Sequence, residues 1–187
     1  YSSKFSPWLA NGSVSVKYIY NQLKKYESEV DQNDSTYWLY FELIWRDFFK
    51  YVSMQHKEKF FSRDGIYGDE KQWSTDQKTL SNWINGKTSE PFVNANMIEL
   101  FETGFMSNRG RQNVSNYLTK ELKIDWRIGA EYFESMLIDY DVHSNYGNWL
   151  YNAGIGNDSM PFRKFNPKLQ SERYDPDKLY EKTWLND

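Results

Sequence analysis

The chain has 187 residues with a formal net charge of −3, and aromatic residues make up 19% of it. Cysteine is absent and the two histidines are His56 and His143, which excludes disulfides, iron–sulfur and thiolate metal sites and leaves little for a histidine-based metal site. The charge provides no global attraction for nucleic acid, and no apolar run approaches the roughly 20 residues of a membrane-spanning helix, so we expect one domain without a membrane segment.

Helical periodicity marks the first third of the chain. Residues 13–30 carry apolar or aromatic side chains at positions i, i+3, i+4 and i+7, which predicts an amphipathic helix with Ser13 or Ser15 as its N-cap. Residues 36–54 are apolar on nearly every side. That pattern predicts a central helix that is buried on several faces.

Turn signals divide the middle of the chain. Residues 62–78 are polar and contain glycine, which predicts a long loop. Residues 79–86 are predicted to form a short helix that Gly86 closes. Residues 91–104 are predicted to form a helix with proline in its first turn and Gly104 as its C-terminal cap.

Two capped helices are predicted next, and the chain then loses its periodicity. Ser107 precedes a predicted helix over residues 108–122, and Asp125 precedes one over residues 126–139. Beyond them we expect an irregular chain with at most a short helix over residues 145–151 and a loop-rich tail that contains prolines. No stretch alternates as a strand would, so the predicted fold class is all-α.

Two arginines begin the helix that Ser107 caps. Arg109 and Arg111 lie in its first turn, where free backbone N–H groups and the positive end of the helix dipole already favour an anion. Positive side chains there need a negative partner. That partner is either a carboxylate elsewhere in the protein or a bound phosphate, and each arginine could serve one of the two.

The apolar helix carries a charged pair beside a tryptophan. Glu42, Trp45 and Arg46 stand at i, i+3 and i+4, and a glutamate four residues before an arginine is the favourable order for an ion pair within a helix. Buried charges are costly unless they are paired or bound to a ligand. The same three residues are therefore also candidates for a pocket wall.

The stretch LIDYDVHSNYGNW, residues 137–149, is rich in polar groups and rings. Asp139 and Asp141 face different ways, so one can pair with an arginine while the other accepts from a ligand, whereas a catalytic carboxylate pair would need them to face each other. We interpret His143 as a hydrogen-bonded loop residue, and the Asn145 amide can contact a heteroaromatic edge. Together with the two arginines, these residues predict a planar, phosphate-bearing ring compound as the ligand.

Five stretches, taken in order, resemble the FAD-binding helical domain of the photolyase/cryptochrome family, and most closely that of the DASH cryptochromes. They are YSSKFSPWLANG, YWLYFELIWRDFF, TGFMSNRGRQN, IDWRIGAEYFESMLIDYDVHSNYGNW and FNPKLQSERYDPD. Gln112 and Tyr151 match the DASH branch, whereas Leu150 and Asn152 depart from its pattern. The resemblance implies a single helical FAD-binding domain over residues 1–187.

The family's N-terminal α/β domain, which helps to hold the antenna chromophore, has no counterpart in the chain. We therefore expect a fragment or a reduced relative, and a folate antenna only in a full-length protein. The chain also begins without an initiator methionine, which agrees with that expectation.

The resemblance also implies which residues contact FAD. A small, polar segment wraps the FAD phosphates, and Arg111 pairs with Asp139 beside the flavin ring. Asp141 faces the polar edge of the flavin, and Asn145 faces its N5 atom. The residues expected at the phosphates and around the flavin cavity are Ser2, Ser3, Lys4, Phe5, Ser6, Arg46 and Asn108.

Other residues are implied to act in electron transfer and in DNA binding. Trp149, Trp126 and Trp73 match the tryptophan chain that passes an electron from the surface to photoexcited flavin, although each of them singly would be interpreted as a core residue. Together with Glu42 and Asn145 they form the expected catalytic set. The residues expected to contact a damaged dimer or the DNA backbone are Glu42, Trp45, Asn108, Arg109 and Tyr151.

The leading hypothesis is light-driven electron transfer from reduced FAD to cyclobutane pyrimidine dimers in single-stranded DNA. A signalling photoreceptor that uses the same flavin and tryptophans without repair is the first alternative. A flavin-free interaction module is the second, and it would associate with itself or with the absent N-terminal domain through an uncovered face. An aromatic-rich sugar-binding domain would need a β-sandwich pattern, which the sequence lacks.

Overall fold

The computed structural model describes residues 3–185, and over that range the chain is built from helices and contains no sheet. One isolated backbone bridge joins Ser74 and Ile124. The all-α prediction is therefore confirmed. A 3₁₀ turn over Lys57–Phe61 and a π-helical turn over Tyr117–Glu121 each directly continue an α-helix. The helices are α1 (Ser6–Ala10), α2 (Val16–Glu29), α3 (Asp34–His56), α4 (Gln77–Ile84), α5 (Pro91–Thr103), α6 (Asn108–Asn116), α7 (Trp126–Met136), α8 (Val142–Ala153), α9 (Pro167–Tyr174) and α10 (Leu179–Leu185).

Most predicted caps begin or end these helices. Ser15, Ser107 and Asp125 each accept a hydrogen bond from a backbone N–H of the first turn that follows. Gly104 ends α5 with a left-handed φ of 67°, which glycine adopts without a steric cost. The helix α4 begins earlier than predicted because Asp76 accepts from two N–H groups of its first turn.

The LIDYDVHSNYGNW stretch is more helical than predicted, since the short helix expected over residues 145–151 is longer at both ends. Its second half belongs to α8, a helix of 12 residues that Asp141 caps. The prediction was wrong because asparagine, glycine, histidine and tyrosine have weak helix propensities, which tertiary packing overrides here. Gly147 serves that packing, since a Cβ at this position would lie 2.3 Å from the Phe49 ring of α3.

The tail is also more helical than predicted. Pro167 stands in the first turn of α9, a position that proline tolerates. The helix α10 packs against α5, where Tyr180 OH donates a hydrogen bond to Glu99 Oε2 at 2.6 Å. Asp175 accepts from two backbone N–H groups at the start of α10. These contacts attach the tail to the rest of the fold.

One face of α3 is exposed, although the sequence predicts burial on several sides. The helices α2 and α8 pack against it, but other sides stay open among residues 3–185. Apolar periodicity shows which sides of a helix could be covered, not whether a neighbour covers them. Association through this face stays a prediction. The exposed large apolar residues of α3 are Tyr37, Trp38, Ile44, Phe48, Tyr51 and Met54.

The hydrophobic core lies among α4, α5, α6, α7 and α8 and contains three tryptophans. Trp83, Trp126 and Trp149 are at most 2% exposed. Trp83 Nε1 donates to Val114 O at 3.2 Å, so its polar atom is satisfied as burial requires. The helices α7 and α8 meet at Gly129, where a Cβ would lie 2.3 Å from the edge of the Trp149 ring.

Two lysines close the C-terminal end of α8. Lys120 Nζ donates to Ala153 O at 2.7 Å and to Pro161 O. Lys71 Nζ donates to the same Ala153 O at 2.7 Å and to Gly154 O at 2.9 Å. Carbonyl groups at a helix C-terminus attract cations. Burial, reinforced by the neighbouring Lys71 ammonium, lowers the pKa of Lys120 to about 8.

The lowered pKa of Lys120 predicts a pH-dependent stability. The unfolded lysine keeps its proton up to about pH 10.4, so between about pH 8 and that value the unfolded state binds more protons than the native state. The free energy of unfolding of the wild type should therefore rise with pH across this interval, relative to that of Lys120→Met. Chemical denaturation of both proteins measures the difference, and a difference that stays constant or falls contradicts the prediction.

Candidate functional site

One cavity of about 440 Å³ opens between α1, α3, α6 and α8. Its volume is that of a small-molecule site. Trp126, Trp73 and Arg109 do not line it, and Ser2 lies outside the described residues. The predicted site residues that line it are Ser3, Lys4, Phe5, Ser6, Glu42, Trp45, Arg46, Asn108, Arg111, Asp139, Asp141, Asn145, Trp149 and Tyr151.

Arg111 and Asp139 form the predicted ion pair. Arg111 Nη2 donates to the two carboxylate oxygens at 2.9 and 2.7 Å, and Arg111 Nε donates to Met106 O at 2.8 Å. The Asp139 side chain is 1% exposed. Arg109 is exposed instead, and its guanidinium lies 4.7 Å from the centroid of the Tyr174 ring. The two arginines at the start of α6 therefore have different roles, one internal and one at the surface.

Arg46 turns toward Asp141 and not toward Glu42. Its Nη2 lies 3.5 Å from Asp141 Oδ2, and the helical ion pair that the spacing suggests is absent among the described residues. Glu42 instead lines the cavity, where partial burial raises the pKa of its carboxyl group. A raised pKa brings a carboxyl closer to its protonated form, which can donate a hydrogen bond.

The segment before α1 has an unusual backbone conformation. Lys4 has a φ of 53°, and Phe5 lies in the right-handed helical region. A residue of positive φ beside a right-handed one occurs in the backbone nests that bind anions. Ser3 and Ser6 add hydroxyl groups to the same cavity, so the segment offers several donors to one anion.

The helix α8 presents an amide to the cavity. Asn145 Nδ2 donates to Ala130 O of α7 at 3.0 Å, which orients the side chain and leaves its oxygen available to a ligand. His143 is hydrogen-bonded as predicted, with its Nδ1 2.7 Å from Ser53 Oγ. It lies in α8, however, and not in a loop. This contact ties α8 to α3 and does not enter the cavity.

Aromatic rings form the apolar wall of the cavity. The Trp45 ring centroid lies 5.4 Å from that of Phe49 and 6.2 Å from that of Tyr151. Tyr151 OH accepts from Arg163 Nη2 at 2.9 Å. The wall thus joins α3 to α8, and it offers ring surface against which a flat group can pack.

The three predicted relay tryptophans differ in burial and in the groups that they contact. Trp149 lines the cavity, and its ring edge contacts Gly129 of α7, about one turn after Trp126. Trp126 Nε1 and Trp73 Nε1 both donate to Arg63 O, at 3.1 and 3.3 Å. Because both indole nitrogens bond to the same oxygen atom, the distance between them is at most the sum of these two hydrogen-bond lengths. Trp126 is buried, whereas Trp73 is partly exposed.

Some cavity residues were missed by the sequence analysis. Phe49 follows Trp45 by four residues and Asn148 follows Asn145 by three, so helical spacing alone identifies both as neighbours. Asn148 was missed because α8 was not predicted as a full helix. Tyr140 also lines the cavity, and its position between two aspartates carries no signal by which the sequence could identify it.

Residues 3–185 contain neither a membrane-spanning helix nor a cluster of metal ligands. No helix there is long and apolar enough to cross a membrane. No group of three or more His, Cys, Asp or Glu side chains there could hold a metal ion. The donors and acceptors that the cavity does offer are hydroxyls, amides and ion pairs.

Comparison with known proteins identifies the family. Residues 38–187 match the domain family described as the FAD binding domain of DNA photolyase. A cryptochrome DASH from Synechocystis sp. is 57% identical over 185 residues, which are 99% of this chain and 38% of that protein. The chain therefore spans well under half of the length of this relative.

Solved structures agree with this match. The crystal structure of a Synechocystis cryptochrome has a TM-score of 0.97 at 56% identity, and the alignment covers 100% of this chain and 38% of that one. An archaeal photolyase from Sulfolobus tokodaii, solved with two FAD molecules, has a TM-score of 0.87 at 33% identity over 98% of this chain and 40% of that one. The resemblance seen in the sequence is thus confirmed: the chain belongs to the photolyase/cryptochrome family, in which it corresponds to the FAD-binding helical domain of the DASH cryptochromes.

Proposed function

We propose that the cavity holds FAD and that this FAD, once reduced and excited by blue light, supplies the electron that splits cyclobutane pyrimidine dimers in single-stranded DNA. The observation that carries the proposal is one cavity that combines a donor-rich cradle, a polar edge and an aromatic wall with Trp149 at the start of a succession of indoles. In flavin enzymes the protein contributes binding, orientation and electrostatics. We therefore assign binding, orientation and electrostatic roles to residues of the chain.

The N-terminal segment fits the phosphates of FAD. Ser3 and Ser6 line the cavity and would supply hydroxyl donors, and backbone N–H groups around Lys4 and Phe5 would add to them. A diphosphate needs several donors at once, which this segment provides over four residues. We propose Arg46 and Asn108, which line the same cavity, as further contacts of the cofactor.

The polar edge of the cavity fits the flavin ring. Asp141 would accept from a ring N–H, and Asn145 would present its amide to the N5 edge. The Arg111–Asp139 pair, whose shortest contact is 2.7 Å, balances its own charge and provides a fixed dipole beside the ring. All these groups are oriented by contacts within the protein, so binding would need little rearrangement.

Trp149, Trp126 and Trp73 would pass electrons from the surface to the cavity. Indole is among the most easily oxidised side chains, so a succession of indole rings needs no acid or base. Arg63 O accepts from the indoles of Trp126 and Trp73, and an acceptor of this kind stabilises the positive charge of an oxidised indole. The shared carbonyl also holds the two rings close together.

The mouth of the cavity fits a damaged strand of DNA. Glu42 lines the cavity, and its carboxyl group would face the dimer there and hydrogen-bond to it. Trp45 and Tyr151 would pack against the dimer. Asn108 and Arg109, both exposed at the start of α6, would contact phosphates. A dimer leaves a single strand more easily than a duplex, because fewer base contacts are lost.

Cofactor binding is tested first. The purified chain is incubated with FAD and desalted, and its visible absorbance is recorded. A retained band with vibrational structure is expected, since such structure reports a flavin in an ordered site. A helical, soluble chain that retains no FAD would contradict the assigned cofactor contacts and favour the flavin-free interaction module.

Repair is tested next, on a single-stranded oligonucleotide that contains a thymine dimer. Blue light should remove the dimer and a dark sample should not. Glu42→Leu is expected to slow the loss by about 100-fold, the lower end of what one preorganised donor contributes, while FAD absorbance stays unchanged. The exposed Glu102→Leu is the matched control. Photoreduction of FAD without dimer loss would contradict repair and favour the signalling photoreceptor.

A further inference from the structure

Tyr146 lies beside the middle tryptophan of the proposed relay. Its ring centroid is 6.0 Å from that of Trp126, with the planes at 83°, and this is the one ring pair that Trp126 makes among residues 3–185. The Phe61 ring packs against Tyr146 at a centroid distance of 4.9 Å. Tyr146 follows Asn145 on α8 but does not line the cavity. Its ring is therefore placed to exchange an electron with Trp126 and not with a ligand.

The hydroxyl group of Tyr146 is hydrogen-bonded to a base. Tyr146 OH donates to Glu134 Oε2 of α7 at 3.2 Å. Burial, with the charges of Glu134 and Glu131, raises the pKa of Tyr146 to about 12, so the phenol is protonated at neutral pH. Tyr140 faces the same carboxylate. Glu134 is exposed, and a proton that it receives can pass to water.

A phenol and an indole are oxidised in different ways. An oxidised indole can keep its proton and carry a positive charge. An oxidised phenol is a very strong acid, so tyrosine is readily oxidised only where its proton can leave in the same step. A ring contact with an oxidised tryptophan is therefore not sufficient, and a positioned proton acceptor is also needed. Tyr146 has both.

Tyr132 has a comparable ring contact without the acceptor. Its ring centroid lies 5.9 Å from that of Trp83. Its hydroxyl group is buried and has no hydrogen-bond partner among the described residues, and burial raises its pKa. Tyr132 therefore contributes packing but cannot release its proton, which makes it the matched comparison for Tyr146.

We propose that Tyr146 and Glu134 form a proton-coupled side branch of the tryptophan relay. The inference rests on the proposed function, because Trp126 must first lose an electron. An electron then moves from the Tyr146 ring to the oxidised Trp126, which becomes a neutral indole again, while the phenolic proton moves to the Glu134 carboxylate. The products are a neutral tyrosyl radical and a protonated Glu134, so electrons, protons and charge all balance.

The branch provides the relay with a second end. One end is Trp73 at the surface, and the other is Tyr146 between α7 and α8. The tyrosyl radical can be reduced again only when a proton returns to its oxygen. The charge-separated state therefore lasts longer when the side branch forms than when the positive charge stays on Trp126.

The branch is tested in the FAD-loaded chain by time-resolved electron paramagnetic resonance after a blue flash. This method distinguishes tyrosyl radicals from tryptophan radicals. The wild type and Tyr132→Phe are expected to show both radicals, and Tyr146→Phe only the tryptophan radical. Glu134→Gln should slow the formation of the tyrosyl radical by about 100-fold, the lower end of what a positioned base contributes. Deuterium oxide should slow it in the wild type as well.

The outcomes distinguish a failure of the side branch from a failure of the tryptophan relay. A tryptophan radical without a tyrosyl radical in the wild type overturns the branch alone, as does a tyrosyl radical that persists in Tyr146→Phe. If neither radical forms, the relay is overturned and the branch with it. Equal rates in Glu134→Gln and the wild type overturn the role of the carboxylate.

The hydrogen bond between Tyr146 and Glu134 is also tested in the chain without FAD. Ultraviolet titration of the wild type, minus that of Tyr146→Phe, should show one phenol with a pKa of about 12. The same difference taken in the Glu134→Gln background should titrate at lower pH, because the negative charge beside the phenol is gone. An unchanged titration would contradict the contact on which the branch depends.

Discussion

Replacing Arg111 with methionine is expected to lower the free energy of unfolding by about 3–5 kcal/mol. The Asp139 side chain is 1% exposed and its oxygens accept from Arg111 Nη2 at 2.9 and 2.7 Å, so the variant leaves a buried carboxylate without its partner. Methionine keeps much of the aliphatic stem of arginine, which limits the loss of packing. Urea denaturation of the two proteins measures the difference, and FAD retention should fall in parallel.

Two further variants control this prediction. Arg127→Met breaks the pair with Asp125, which is 2.8 Å long but has an arginine that is 39% exposed, and we expect a loss of at most about 1 kcal/mol. Adding Asp139→Asn to Arg111→Met should recover part of the loss, because an amide needs no opposite charge. The Asp125 carboxylate is also buried, at 8% exposed, so equal losses at Arg111 and Arg127 would show that exposure of the arginine does not weaken such a pair.

Trp149→Phe is expected to remove most of the light-driven reduction of bound FAD while FAD stays in place. Trp149 is 2% exposed and lines the cavity. A phenyl ring fills much of the same space but is far harder to oxidise than an indole. We expect the rate to fall by about tenfold or more, which corresponds to at least about 1.4 kcal/mol of additional barrier. The absorbance of bound FAD during illumination follows this reaction directly.

Trp83→Phe is the matched control for Trp149→Phe. The Trp83 ring centroid lies 6.3 Å from that of Trp149, and Trp83 is fully buried in the same core. It does not belong to the succession that leads to Trp73, so photoreduction should continue at the wild-type rate. Full photoreduction in Trp149→Phe, or an equal loss in Trp83→Phe, would contradict the proposed order of the relay.

Helix ends were predicted well where they depend on the chain's own backbone. Ser107, Asp125 and Gly104 cap their helices as expected, because a side-chain oxygen or a glycine acts on N–H and C=O groups only a few residues away. The helix α8 was predicted too short because its residues favour other local structures, and contacts with α3 and α7 stabilise it instead.

The site was predicted only in part. The charges at the start of α6 indicated that a negative group was needed, but the choice of Asp139 as the partner of Arg111 came from the family resemblance. Arg46 shows that helical spacing alone does not determine which ion pair forms. Glu42 stands at the favourable helical spacing, yet Arg46 pairs with Asp141, which is 95 residues away in the chain.

By itself the sequence determined the helical class, most helix ends and the family, because these depend on local backbone preferences and on the order of residues along the chain. Only the tertiary structure decided that α3 keeps an exposed aromatic face and that Tyr146 meets both Trp126 and Glu134. Each of these features depends on which side of one helix another helix covers. Periodicity indicates that a face is apolar, but packing between distant segments decides what that face contacts.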